Sequence, residues 1–96
     1  MAQYVVLASF SGQGIRGVKD TAKRAKAFRE TAKKSGVTVK EVYWTLGHYD
    51  LVITMEAAND ETVAALMMKA GSLGNIKSQT LRAFGESEIE SILSKV

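Results

Sequence analysis

The sequence predicts an α+β fold in which two strand–helix–strand units follow one another and an extra helix comes last. Segments rich in valine, isoleucine and tyrosine alternate with segments of helical periodicity. A glycine in the middle of the chain separates two adjacent strand-like segments, as a hairpin requires. The 96 residues are enough for one domain and too few for two, so we expect residues 1–96 to form a single domain. The resulting βαββαβ order is that of a ferredoxin-like fold, with an antiparallel four-stranded sheet and helices on one face.

The first unit begins with a predicted strand over Gln3–Phe10, which is rich in valine. The glycines of Ser11–Gly14 end this strand. A helix is predicted over about residues 21–35, with Thr21 as its N-cap and Gly36 as its C-cap residue. The apolar stripe of this helix consists of Val18, Ala22, Ala25, Phe28 and Ala32.

The centre of the chain predicts a tight hairpin, with strands over residues 37–46 and 49–57. The strands flank Gly47-His48, and glycine at the first position of a two-residue loop is typical of a type II′ turn. That loop fixes the register, because opposite residues must then sum to the same number. One face pairs Leu46 with Tyr49, Trp44 with Leu51, Val42 with Ile53 and Lys40 with Met55, and the other pairs Thr45 with Asp50, Tyr43 with Val52 and Glu41 with Thr54. The first face is strongly apolar and the second is mixed, so the hydrophobic pattern agrees with the turn.

The second unit repeats the order of the first. Asn59 is the predicted N-cap of a helix whose first turn carries Asp60 and Glu61, where the helix dipole favours acidic residues. Residues 75–84 form the predicted fourth strand. A capping-box pattern at residues 87–90 starts a last helix. Its apolar stripe consists of Ile89, Ile92, Leu93 and Val96. A helix this short is not stable alone, so we expect the stripe to dock on another surface.

Composition excludes several classes of function. The chain has no cysteine, which excludes disulfides, thiolate metal sites and cysteine nucleophiles. His48 is the single histidine, so we predict no metal site, and no cofactor is indicated. No apolar run approaches the length of about 20 residues that spans a bilayer. The first residues lack the basic segment of a signal peptide, so we expect a cytoplasmic protein.

The net charge of +3 is unevenly distributed. Residues 1–50 hold nine Lys and Arg against four Asp and Glu, whereas residues 51–96 hold four against six. Most of the positive excess lies between Arg16 and Lys34. This segment lacks interleaved surface aromatic residues and a known recognition motif. We therefore interpret it as a solvated helix face and do not expect a nucleic-acid partner.

The hairpin segment Tyr43–Asp50 (YWTLGHYD) resembles the signature of the GYD domain family, which is named after the residues that are here Gly47, Tyr49 and Asp50. Further similar segments are Asp20-Thr21 with Arg24, Ser72–Asn75 and Thr80–Phe84. Ala22 departs from the pattern, because many relatives have proline at this first helical position, and alanine is compatible with a helix there. The resemblance covers nearly the whole chain. It implies a ferredoxin-like domain related to dimeric α/β barrels, and it implies no particular activity.

The mixed face of the hairpin is the candidate functional surface, because it is too polar for a core and too apolar for a free surface. The fourth strand adds either Ser78, Thr80 and Arg82 or the alternate set Lys77, Gln79 and Leu81, and the sequence leaves this choice open. Two copies that close into a barrel would form a partly polar cavity between their sheets. The candidate ligand-binding residues are Tyr43, Thr45, Asp50, Thr54, Glu56 and Arg82. No catalytic residue is predicted.

Asp50 and Tyr49 also have structural interpretations, which we favour. Asp50, beside a tight hairpin, can accept hydrogen bonds from a hydroxyl group or from backbone N–H groups. Tyr49 is predicted to pack on the apolar face of the hairpin. The sequence thus favours a homo-oligomeric binding, regulatory or assembly module, a homodimer or a higher oligomer. The alternative is a cofactor-free oxygenase or isomerase of the dimeric α/β-barrel type, and this alternative depends on analogy alone.

Overall fold

The computed structural model describes all 96 residues. The strands are β1 (Ala2–Phe10), β2 (Thr38–Trp44), β3 (Leu51–Ala57) and β4 (Ile76–Ala83). The α-helices are α1 (Gly12–Arg16), α2 (Thr21–Lys34), α3 (Asp60–Ser72) and α4 (Glu86–Leu93), with a short 3₁₀ turn at Val18–Asp20. None of these helices combines the length and the hydrophobicity that a membrane span requires.

The strands form one antiparallel sheet in the order β2-β3-β1-β4. This order and the βαββαβ succession of the main elements confirm the predicted α+β, ferredoxin-like fold. Strands β1 and β3 lie in the centre of the sheet, and β2 and β4 form its edges.

The hydrophobic core lies between one face of the sheet and the helices α2 and α3. Alternate residues of the central strands are buried, and helix α3 contributes three side chains. The core consists of Tyr4, Val6, Ala8, Ala32, Val37, Leu51, Ile53, Met55, Ala57, Val63, Leu66 and Met67. Helices α2 and α3 both contribute to the core on this one face, so we call the opposite face of the sheet the open face.

The helix ends agree with the sequence in part. The Asn59 side chain accepts a hydrogen bond from the Thr62 N–H at 2.9 Å, as an N-cap does. Gly36 follows α2 with a φ of 83°. The prediction that Thr21 is an N-cap is wrong, since its hydroxyl accepts instead from the Trp44 indole N–H at 3.0 Å. Ala22, predicted to be in the apolar stripe, is exposed.

The last helix begins earlier than its predicted capping box. The observed box joins Gly85 and Glu88, because the Gly85 N–H donates to the Glu88 carboxylate at 3.3 Å. The predicted box at residues 87–90 is therefore wrong by two residues. The sequence of this segment is compatible with a helix that starts after Gly85 or after Ser87. Only the geometry at the end of β4 distinguishes the two starts.

The hairpin register is as predicted near the loop and shifts further along the strands. Trp44 pairs with Leu51, Val42 with Ile53, Tyr43 with Val52 and Glu41 with Thr54. Val39, not Lys40, then pairs with Met55, because a β-bulge between Val39 and Glu41 inserts an extra residue. The bulge keeps an apolar side chain on the core face and allows Lys40 to contact Glu56 at 3.0 Å.

The prediction of a two-residue turn is wrong, although Gly47 is correctly predicted as the loop residue that needs a positive φ. The Thr45 N–H donates to the Asp50 carbonyl at 2.8 Å, and no backbone hydrogen bond joins Leu46 to Tyr49. The loop thus contains the four residues 46–49. Gly47 has a φ of 114°, in the region that favours glycine.

We expect Gly47→Val to lower the free energy of unfolding by about 1–3 kcal/mol, because a β-branched residue is strained at this φ. A Cβ atom at Gly47 would meet nothing within 4 Å, so the backbone conformation alone causes the loss. Gly71→Ala, in α3 and equally free of neighbours, is the matched control. Alanine favours a helix, so this variant should be as stable as the parent or up to about 1 kcal/mol more stable. Urea denaturation measures the free energy of unfolding of both variants. Equal values for Gly47→Val and the parent would contradict the positive φ assigned to Gly47.

Candidate binding surface on the open sheet face

The open face carries a continuous group of aliphatic side chains at its centre. Val5 pairs with Thr54 on one side and Leu81 on the other, and Leu7 pairs in the same way with Val52 and Gln79. Val5, Leu7 and Val52 are only half-buried, and Leu81 is 39% exposed on the edge strand. We call Val5, Leu7, Val52 and Leu81 the aliphatic centre. Val5 and Leu7 are not among the residues predicted for this surface, although their alternation with the buried Tyr4 and Val6 places them on it.

The same register settles which side of β4 joins this surface. Lys77, Gln79 and Leu81 lie on the open face, because their partners Ser9, Leu7 and Val5 do. The alternate set, Ser78, Thr80 and Arg82, lies on the side of the helices. An edge strand that is polar on both sides gives no periodic signal, so the sequence alone leaves the choice open.

Polar side chains on the open face form hydrogen bonds with one another. The Tyr43 hydroxyl donates to the Glu41 carboxylate. This hydrogen bond, together with the negative charge of Glu41, raises the pKa of Tyr43 above its usual value. Thr54 also donates to Glu41, at 3.4 Å, so one carboxylate joins β2 to β3. Three of the candidate ligand-binding residues, Tyr43, Thr54 and Glu56, therefore lie on this face.

Tyr49 lies against the open face, which corrects its predicted position on the apolar side. Its hydroxyl donates to the Gln79 side chain at 3.2 Å, and Gln79 belongs to the open face of β4. Ser9 on the same face donates to the His48 carbonyl at 3.4 Å. The four-residue loop therefore bends towards this face, and a two-residue loop would have directed Tyr49 to the other side.

Asp50 and Thr45 organise the loop with their side chains. The Asp50 carboxylate accepts from the Phe10 backbone N–H at 2.9 Å, and the Asp50 N–H donates to the Ala8 carbonyl at 2.8 Å. The Thr45 hydroxyl donates to the Tyr49 carbonyl at 2.6 Å. These bonds match the structural interpretation of Asp50 as an acceptor of backbone N–H groups. They attach the hairpin loop to the end of β1.

Arg82 lies apart from the other candidates, on the opposite side of the sheet. It pairs with the buried Tyr4, and its guanidinium lies 4.5 Å from the centre of the Phe84 ring. Arg82 also forms an ion pair with Glu88 at 3.2 Å. The hydrogen bond from the Gly85 N–H lowers the pKa of Glu88 below its usual value, and the hydrogen bond from Arg82 lowers it further. Arg82 therefore orients the start of α4 and is separated from Tyr43 and Thr54 by the sheet.

The comparisons with known proteins agree on the family and the fold. The sequence matches the GYD domain over residues 4–93. A "Glutamine synthetase and cystathionine beta-lyase binding protein" from Thermus thermophilus is 30% identical over 90 residues, which cover 93% of this chain and 95% of the relative. Among solved structures, TTHA0845 from Thermus thermophilus is similar with a TM-score of 0.58 and 26% identity over 88% of this chain and 95% of that chain. FFRP-DM1 is similar with a TM-score of 0.58 and 19% identity, over 88% of this chain and 100% of that chain, and this likeness concerns the fold alone.

Proposed function

Because the chain belongs to the GYD domain family, we propose that it is a binding module that works as a symmetric dimer paired through the open face. The observation that carries this proposal is the aliphatic centre, whose side chains are half-buried or exposed on the open face. A contiguous, partly apolar sheet face on a small domain marks an interface. Pairing of the same face on two copies is the commonest symmetric arrangement.

The size of the face sets the expected strength of this dimer. Strands about 4.8 Å apart, each with about seven paired residues at about 3.3 Å, give a face of roughly 19 by 23 Å. Pairing two such faces would bury roughly 900 Å² in total, near the lower limit for a specific interface. We therefore expect the dimer fraction to depend on protein concentration. Additional contacts between the copies would strengthen the dimer.

The polar pairs on the open face suit a small polar ligand between the two sheets. Glu41, Tyr43 and Thr54 lie beside the aliphatic centre, and Tyr49 with Gln79 lies near its other end. When two faces approach, these donors and acceptors leave bulk solvent and need partners. A bound small molecule or trapped water would supply them.

The name of the Thermus thermophilus relative supports a protein partner as well. That protein is named for binding two enzymes, and it is similar to this chain over nearly the full length of both. We propose that this chain likewise binds enzymes, with the dimer as the unit that assembles on them.

Size-exclusion chromatography with light scattering tests both parts of the proposal. At micromolar concentration the protein should have twice the 10.4 kDa mass of the chain or a multiple of it. Adding glutamine synthetase or cystathionine β-lyase from the same organism should shift the protein to earlier elution with at least one of them. A 10.4 kDa monomer would contradict the dimer, and independent elution from both enzymes would contradict the partner.

A further inference from the structure

Helix α4 extends from the end of β4 and buries none of its residues. Ile89 and Leu93 are 42% and 60% exposed, and Val96 just beyond the helix is fully exposed. Ile92, the fourth member of the stripe, is half-buried. Its described side-chain contacts are at its start, where Glu88 meets Gly85 and Arg82. An eight-residue helix with an exposed apolar stripe is not stable in water by itself. The stripe therefore needs a surface to cover it.

A second apolar surface lies near the other end of β4, between α2 and α3. The two helices leave an apolar cavity of about 340 Å³ above the core face of the sheet. Phe28 and Ala25 of α2 line one wall, and Leu66 and Ala70 of α3 line the other. The exposed members of the lining, Ala27, Lys69 and Leu73, mark its open side.

The α4 helix of the same chain cannot reach this opening. Leu73 precedes the start of β4, whereas α4 follows its end. The eight residues of β4 extend over about 26 Å at about 3.3 Å each. Helix α4 is only about 12 Å long. Any contact between the cavity and the stripe would therefore join different molecules.

Opposite charges surround the two surfaces. Helix α2 carries six Lys and Arg residues and one Glu, whereas α4 carries three Glu residues and no basic residue. Arg24 and Lys69 line the cavity, and no acidic residue does. By helical spacing, Lys23 and Lys34 lie one turn from the lining residues Ala27 and Thr31, and Glu30 is the one acidic residue of α2 at such a position. On α4, Glu86 and Glu90 border the apolar stripe.

We propose that α4 of one molecule docks into the cavity between α2 and α3 of a second copy of this chain. Ile89, Ile92, Leu93 and Val96 have the i, i+3, i+4, i+7 spacing of a helix that binds in an apolar groove. The glutamates of α4 then face Arg24, Lys69 and their basic neighbours. This contact uses the helix side of the domain, so it is separate from pairing through the open face and links such dimers into larger assemblies.

The absence of cysteine makes this contact testable by directed cross-linking of the full-length chain. One batch carries Leu73→Cys at the open side of the cavity, and a second carries Ile92→Cys in the stripe of α4. The two are mixed and treated with a short bismaleimide, and denaturing gels separate the products by mass. Ser91→Cys, which is next to Ile92 and on the opposite side of α4, replaces Ile92→Cys in the matched control.

We expect the Leu73→Cys and Ile92→Cys mixture to give at least five times more cross-linked heterodimer than the Ser91→Cys control. Glu86→Lys with Glu90→Lys, added to the Ile92→Cys chain, should reduce this yield several-fold, and so should high salt. Equal yields from Ile92→Cys and Ser91→Cys would overturn the proposal. Predominant linkage of Ile92→Cys to itself, or linkage within one chain that carries both cysteines, would also overturn it. Val52→Lys in both batches leaves the expected yield unchanged, which separates this contact from open-face pairing.

Discussion

Replacing Val52 by lysine is expected to weaken self-association by roughly 100-fold or more. Val52 lies in the aliphatic centre, beside Leu7 on one strand and Tyr43 on the other. In a symmetric pair the two new ammonium groups leave water and approach each other, and like charges at an interface cost several kcal/mol. The core should be unaffected, because Val52 points away from the buried Leu51 and Ile53.

Light scattering of the variant across a range of concentrations measures this effect. Ala64→Lys is the matched control, since it adds the same charge at an exposed position on α3. That control should keep the mass of the parent, and both variants should keep its melting temperature at high dilution. An unchanged mass for Val52→Lys would show that the open face is not where the copies meet.

Gly14→Ala is expected to have the largest effect on folding of any single methyl addition that we can identify. A Cβ atom at Gly14 would lie 1.9 Å from the backbone carbonyl oxygen of Asn75. The same oxygen accepts the Ser11 N–H at 3.0 Å, so α1 and the start of β4 cannot separate without losing this bond. We expect a loss of about 3 kcal/mol or more, because the clash is with backbone and not with a flexible side chain.

Thermal unfolding measures the loss, and about 3 kcal/mol corresponds to a fall of roughly 12 °C or more for a domain of this size. Gly12→Ala in the same helix is the control. Its Cβ atom would meet only the end of the Arg16 side chain, at 3.4 Å. That variant should melt within a few degrees of the parent. Equal melting temperatures for both variants would contradict the close contact between α1 and Asn75.

The order of elements could be predicted from the sequence because local patterns determine it. Asn59 and Gly36 mark helix ends by their own chemistry, and the alternation in residues 51–57 identifies a strand with one buried face. The hairpin register near the loop follows from the same alternation. These features depend on residues close in sequence, and the structure confirms them.

The loop and the site could be predicted only in part, because distant residues determine them. Asp50 bonds to Phe10 and Ala8, which lie about forty residues away, and these bonds lengthen the loop and turn Tyr49 to the open face. The sequence alone places Arg82 among the candidates, because no pattern in β4 distinguishes its two sides. The pairing of Arg82 with Tyr4 places Arg82 on the helix side of the sheet. This pairing joins strands from opposite ends of the chain, so local sequence does not reveal it.

The central claim, pairing through the open face, is tested most directly by isotope-filtered NMR on a mixture of labelled and unlabelled protein. In this experiment only contacts between different molecules give signals. We predict intermolecular NOEs among the methyl groups of Val5, Leu7, Val52 and Leu81, and none from the methyl groups of Val6 and Val63, which are buried and do not line the cavity between α2 and α3. Intermolecular signals that omit all four methyl-bearing residues of the aliphatic centre, or no intermolecular signals at millimolar concentration, would contradict the claim.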